Sequence, residues 1–328
     1  MKALRLHGVR DLRLHDEPEP EPADDEVVVR VTAVGLCGSD RHWFLEGGIG
    51  DAVLDRPLVL GHEFVGTIES GPRAGQRVAL DPAVPCGRCA LCLAGDQHLC
   101  LELRFAGHGT EDGALRSCLA WPERLAYGVP DRLSDKEASL LEPLGVALHA
   151  LDLGHVQPGS TAGVFGCGPI GLLLVQALRA AGAETIVATD PLPHREAAAV
   201  AAGATPDLRE VDVAFEAAGD DTALADAIAA ARPGGRVVLV GIPDGDRTSF
   251  TASTARRKGL TLLICRRMKP ADLLRAIRLA EAGEVELGEL VSGRYALSEW
   301  REAFDDLVER RGLKVVVEPQ RANEGAGP

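Results

Sequence analysis

Four cysteines, Cys86, Cys89, Cys92 and Cys100, follow one another as C-x2-C-x2-C-x7-C in a stretch punctuated by Gly and Pro. Four thiolates this close in sequence can close a tetrahedral shell around one zinc ion and so pin a loop that has little core of its own. The run also fits some iron–sulfur spacings. Disulfides are the competing reading. They are disfavoured because C-x-x-C-x-x-C makes poor disulfide loops and nothing marks the chain as secreted. A closed zinc lobe over 86–100 is therefore expected, with a second set of ligand-type residues before it and a Gly-rich turn after it.

A length of 328 residues suggests two domains. The balance of 35 basic against 49 acidic residues gives a net charge of −14. That charge repels nucleic acid and anionic membranes, so neither is an expected partner. The opening Met1-Lys2-Ala3-Leu4-Arg5 is too charged for a signal peptide, and no apolar run approaches the ~20 residues of a membrane span. Eight cysteines, half of them in one lobe, suit a reducing cytoplasm.

The first third reads as short strands and turns. Residues 26–34 form a strongly β-branched strand after a lead-in held extended by Pro18, Pro20 and Pro22. Further strands are expected at 62–69 and 77–80. Ser134 and Glu137 have capping-box spacing, which predicts one helix running to about 151 and carrying Glu142. From Thr161 the texture changes. Apolar strands are expected at 162–165, 185–189, 211–215, 236–240 and 260–264, with helices at 170–180, 193–202 and 224–231 between them. Alternation of this kind implies a parallel sheet covered on both faces. A helix at 298–308 and a strand at 313–317 follow, and 319–328 reads as a disordered tail.

Gly166-Cys167-Gly168-Pro169-Ile170-Gly171 is G-x-G-x-x-G placed after a strand and opening a helix. Its glycines permit the tight turn and the close approach of backbone to a pyrophosphate, which the helix N-terminus then faces. Asp190 ends the next strand at the distance where an acid meets the adenosine ribose. A carboxylate there repels a 2′-phosphate, so NAD is favoured over NADP, with His194 and Arg195 close behind. Asp190 also reads as an N-cap of the helix that follows.

Cys37, His62 and Glu142 complete the ligand types. A thiolate, an imidazole and a carboxylate can hold zinc with one position open. Taken singly, they read as a small core residue, a hydrogen-bonded strand residue and a surface helix residue. Together, upstream of a dinucleotide fold, they read as a metal site.

In that order, Gly35-x-Cys37-Gly38-Ser39-Asp40-x-x-His42, Gly61-His62-Glu63-x-x-Gly66, the four-cysteine lobe, Glu142-Pro143 and the Gly-rich turn resemble the zinc-dependent medium-chain dehydrogenases over nearly the full length. Glu46-Gly47-Gly48-Ile49-Gly50-Asp51 and Glu142-Pro143-Leu144 are similar to the sorbitol (polyol) dehydrogenase branch. The resemblance implies an α/β protein with a GroES-like, mostly-β catalytic domain at 1–150 and 285–328. It also implies a doubly wound Rossmann domain at 151–284. It implies one catalytic and one structural zinc. Cys37, His62 and Glu63 hold the first, with Glu142 exchanging with Glu63 or bound through water. Cys86, Cys89, Cys92 and Cys100 hold the second. Asp40 orients His62, Ser39 and His42 relay a proton, and Phe105 faces the substrate. Gly166, Gly168, Pro169, Ile170, Gly171, Asp190 and Arg195 bind the nucleotide. The implied reaction passes a hydride between a polyol or other secondary alcohol and NAD, in a homodimer or homotetramer.

Three departures stand out. The branch has a substrate-touching arginine near 260–270, where Ile264 or Cys265 aligns with Arg266 and Arg267 just beyond; the particular polyol is thus left open. The loop at 70–75 is short. Residues 203–212 replace a strand and a crossover helix, and too few residues remain for both. The expectation is a loop or vestigial edge strand over 204–210. A vicinal diol, aldose, amino alcohol or aminocyclitol is the alternative substrate. A non-catalytic zinc-bound redox sensor is the alternative of another class, and a nucleic-acid-binding zinc module the third.

Overall fold

The strand Glu26–Gly35 is rich in β-branched residues and pairs on both sides. Against it run Glu63–Ile68 and Lys314–Glu318, with Gly35 opposite Glu63 on one side and Val316 on the other. The computed structural model describes residues 1–322, and the 323–328 part of the expected disordered tail lies outside them. Two compact units emerge: Met1–Glu142 together with the chain from Leu287 onward, and Pro143–Glu286.

In the first unit a seven-stranded sheet runs in the order Ala126–Gly128, Arg77–Leu80, Glu63–Ile68, Glu26–Gly35, Lys314–Glu318, Val291–Ala296. Cys118–Pro122 also pairs with Glu26–Gly35. Lys2–Gly8, Asp11–Asp16 and Leu58–Val59 form a smaller sheet. Val29, Val31 and Val34 meet Phe64, Trp121 and Phe304 in one core, each fully or almost fully shielded. A Leu- or Phe-sized side chain buried in this way contributes roughly 1.5–3 kcal/mol.

The second unit is a five-stranded parallel sheet in the order Thr185–Thr189, Thr161–Phe165, Val211–Glu216, Ala231–Leu239, Thr261–Ile264. The chain goes from Thr161–Phe165 first to one side and then to the other. The C-terminal end of that strand is therefore the topological switch point, where ligands bind in such sheets. Beyond Thr185–Thr189 the sheet stops. Thr205 makes a single parallel bridge to Val187, donating to Ile186 O at 2.9 Å and accepting from Ala188 N at 3.0 Å. No helix occurs between Ala201 and Val211. The vestigial edge expected from the short 203–212 segment is what the fold contains.

Some boundaries differ from the sequence expectation. The helix begun by the Ser134–Glu137 capping box ends after one turn at Ala138, and a second helix, Leu141–Gly154, carries Glu142. The third helix of the parallel unit begins earlier, at Asp221, because Asp220 accepts from the N–H groups of Thr222 and Ala223. Among the described residues, no helix is long and apolar enough to cross a membrane.

Candidate active site and metal centres

The lobe cysteines converge. All four sulfurs lie within 4.8 Å of one another, with Cys86–Cys92 at 4.0 Å and Cys89–Cys100 at 3.9 Å. A tetrahedral ZnS4 shell with ~2.3 Å bonds has an edge of roughly 3.8 Å, so the spacing suits a metal. A disulfide would need ~2.05 Å, and every cysteine is free. The lobe is also prepared for negative sulfur. Cys86, Cys89 and Cys92 donate backbone N–H bonds to Cys100, Cys86 and Cys89 Sγ. The N–H of Cys92 leads in pulling the Cys89 thiol down to about 6. Burial pushes Cys92 up to about 12, so the sulfurs are not equivalent before a cation arrives.

The second cluster is assembled from separate elements. Cys37 precedes the helix Gly38–Glu46, His62 precedes the strand Glu63–Ile68, and Glu63 opens it. Their ligand atoms lie within 4.8 Å of one another. A soft sulfur, a nitrogen and a carboxylate at that spacing fit a zinc site with an open position. Burial, then the charge of Glu63, pushes the Cys37 thiol up to about 12. A cation would reverse this logic and take the thiolate directly. Glu142, buried in the first turn of its helix, is pushed up to about 8, first by burial and further by Glu63 and Cys37, while His62 pulls it down. It is within their electrostatic reach but outside the trio of mutually close ligand atoms.

Asp40 is completely buried and accepts from Cys37 N at 2.8 Å and Gly61 N at 3.2 Å. Its Oδ1 stands 3.7 Å from His62 Nδ1, leaving Nε2 as the nitrogen turned away from it. Ser39 Oγ hydrogen-bonds with that Nε2 at 3.2 Å, and His42 Nδ1 pairs with Glu46 at 2.8 Å. Ser39 is thus placed on a candidate ligand and His42 on a carboxylate one helical turn away. The Phe105 ring is 5.4 Å from that of His62, and His108 sits edge-on to Phe105 and to Trp43.

Lys314 was not singled out from the sequence. Its ammonium, 1 % exposed, ion-pairs with Glu63 Oε2. Burial works to lower its affinity for a proton, but Glu63 and Cys37 outweigh that and raise it. Gly35 makes the pairing possible. It lies on the strand between the two partners, and a Cβ there would strike Glu63 Oε2 and come within 2.9 Å of Lys314 Cε. The available signal was a lone lysine heading the apolar run Lys314-Val315-Val316-Val317.

In the second unit, Gly168 is the N-cap and Pro169 the first residue of the helix Pro169–Ala180, which Ile170 and Gly171 continue. Gly166 has φ +100°, and a Cβ there would sit 2.8 Å from Ala218 N. Asp190 does not cap the next helix, whose N-cap is Leu192. Its carboxylate instead accepts from Cys167 N at 2.7 Å and Leu192 N at 2.8 Å, tying the Gly-rich turn to its own loop. Each oxygen keeps a lone pair for a hydroxyl. Arg195 Nη1 lies 3.5 Å from where a Cβ on Gly168 would be.

Residues 23–131 match the model of the alcohol dehydrogenase GroES-like domain and 169–282 that of the zinc-binding dehydrogenase. The chain belongs to the zinc-dependent medium-chain dehydrogenase/reductase family, and within it resembles the polyol branch. It is 35 % identical to the sorbitol dehydrogenase of Bacillus subtilis, with 98 % of each chain covered. Among solved structures it resembles a Sinorhizobium meliloti protein assigned as a zinc-binding dehydrogenase and bound to NADP, with TM-score 0.87, 31 % identity and coverage of 97 % and 99 %. It also resembles an Escherichia coli alcohol dehydrogenase complexed with NADH, with TM-score 0.87, 25 % identity and the same coverage.

Proposed function

We propose that this protein is an NAD-dependent polyol dehydrogenase acting on a secondary CH–OH group. The observation that carries the reading is the Cys37–His62–Glu63 donor set in a chain that also holds the Gly-rich turn tied to Asp190. In this reading the first unit, 1–142 with the chain from 287 onward, handles alcohol and metal, and 143–286 handles the nucleotide, close to the 1–150, 285–328 and 151–284 bounds expected from the sequence. Zinc, when bound, supplies Lewis-acid polarisation of a hydroxyl oxygen. Cys37, His62 and Glu63 hold it, and Glu142 is the neighbouring carboxylate. Cys86, Cys89, Cys92 and Cys100 hold a second zinc that shapes the lobe. Asp40 keeps the His62 ring oriented through Nδ1. Ser39 and His42 relay the alcohol proton outward, Ser39 receiving one proton as it passes another on. Phe105 gives the alcohol an apolar wall. Asp190 meets the adenosine ribose and favours NAD over NADP, and Arg195 lies beside the Gly-rich turn.

Similarity to a sorbitol dehydrogenase over nearly the whole chain supports a polyol as substrate, and a homodimer or homotetramer is the proposed assembly. The test is absorbance of reduced nicotinamide on mixing zinc-loaded protein with NAD and a panel of hexitols, pentitols, vicinal diols and amino alcohols. Reduction of NAD with at least one polyol is expected. Failure across the panel, or equal efficiency with NADP, would overturn the substrate or the cofactor assignment respectively.

A further inference from the structure

The strand Val211–Glu216 ends in a carboxylate that no step above uses. Glu216 is 3 % exposed, a rare place for this side chain. Its hydrogen-bond partners are backbone groups: Ala218 N donates to Oε1 at 2.7 Å and Gly219 N at 2.6 Å. Burial pushes the carboxyl up, and the N–H groups of Ala218, Gly219, Asp220 and Gly241 pull it back towards the ionised form. Gly241, in the turn after the next strand, donates its N–H to the Glu216 backbone O at 3.1 Å, so the residue joins two turns, one through its side chain and one through its main chain.

Those turns are stacked backbone on backbone with the Gly-rich turn. A Cβ on Gly166 would come within 2.8 Å of both Ala218 N and its Cβ. One on Gly219, at φ +69°, would meet the carbonyl of Ile242, and one on Gly241 would approach Gly219 Cα to 2.6 Å. Ala217 N also donates to Phe165 O, and Val240 N to Glu216 O, both at 2.8 Å. Three turns at the C-terminal ends of three neighbouring strands thus share one fixed arrangement with Glu216 beneath it.

A dinucleotide at a switch point lies across it, one half on each side. Asp190 marks the Thr185–Thr189 side for the adenosine half. The other half then lies over the turns 217–219 and 240–242. We infer that Glu216 is a positioning residue for the nicotinamide half of the cofactor, acting through these two turns; this rests on the cofactor reading given above. Without the carboxylate, the partly buried N–H groups of Ala218 and Gly219 lose their acceptor and their turn, with the one stacked on it, relaxes, while Asp190 and its loop on the opposite side keep their contacts.

The experiment titrates full-length wild type, Glu216→Gln and Glu216→Ala with NADH and, separately, with ADP-ribose, which lacks the nicotinamide. Loss of two hydrogen bonds to a charged acceptor is expected to weaken NADH binding about tenfold in Glu216→Ala, with ADP-ribose within about twofold. Glu216→Gln retains an acceptor oxygen for Ala218 and Gly219 and is expected to lose only about threefold for NADH. KM for NAD is expected to rise in step. Unchanged NADH binding, or equal loss for both ligands, overturns the inference. If Glu216→Ala does not fold, the ratio for Glu216→Gln decides alone. Wild type that binds neither ligand would instead refute the cofactor reading, and this inference with it.

Discussion

The two clusters able to hold zinc are built in opposite ways. The lobe takes all four sulfurs from residues 86–100, two of them partly exposed, and prepares them with its own backbone N–H groups. The other takes Cys37 from the entry to a helix and His62 and Glu63 from the start of a strand, and balances the buried carboxylate with Lys314, about 250 residues further on. A locally built site can be lost while the sheet around it stands. An assembled one is part of the sheet, and its charges are stable only as a set.

That contrast can be broken most directly at Cys37. Cys37→Ser is expected to lower turnover by about a thousandfold or more, since a metal's stabilisation of transition-state charge is worth several kcal/mol. One zinc per chain should disappear by elemental analysis, in protein that remains folded by circular dichroism at 25 °C. Wild-type turnover with that zinc gone would end the assignment.

Lys314→Met probes the charge balance. It strands Glu63 in the interior, and removing one partner of a buried pair costs roughly 3–5 kcal/mol. Urea unfolding should show the loss, largest after treatment with a chelator. A midpoint equal to wild type in the chelated protein would show that Glu63 does not depend on its lysine.

Cys92→Ser tests the local side of the comparison. The lobe can open as a small unit, so a loss of roughly 2 kcal/mol is expected, with one zinc fewer. Turnover at 25 °C should stay within about threefold, because closed zinc sites hold structure rather than react. If Cys92→Ser abolished turnover in folded protein, the two clusters would not be separable.

The smallest effect is expected at Asp190, whose partner turn is also local. Asp190→Ala should narrow the preference for NAD over NADP about tenfold by removing like-charge repulsion of a 2′-phosphate. Ratios of kcat/KM for the two cofactors measure it, and an unchanged ratio would remove Asp190 from cofactor choice.

Legibility followed the same division. The lobe and the Gly-rich turn are read from short spacings, because contacts a few residues apart leave a pattern in the sequence. Asp190 directly follows the strand Thr185–Thr189, a position its spacing makes legible, yet its bond to Cys167 N, 23 residues away, needed the parallel sheet to bring the two loops together. The Glu63–Lys314 pair left almost no trace. It spans two strand spacings and depends on the missing side chain of Gly35, which the motif displays without explaining. The break between Ala138 and Leu141 was also hidden, since helix propensity there runs on without interruption.

Lys314 has a consequence for the order in which the molecule is made. Glu63 leaves the ribosome about 250 residues before it. At synthesis rates of 5–20 residues per second, roughly 10 to 50 seconds pass before the lysine exists. Throughout that interval the strand Glu26–Gly35 lacks its neighbour Lys314–Glu318, and Cys37, His62 and Glu63 stand beside an open edge with no resident cation. The parallel unit, contained within Pro143–Glu286, is complete while the older antiparallel unit is still waiting. The half of the chain synthesised first is therefore the half that finishes folding last.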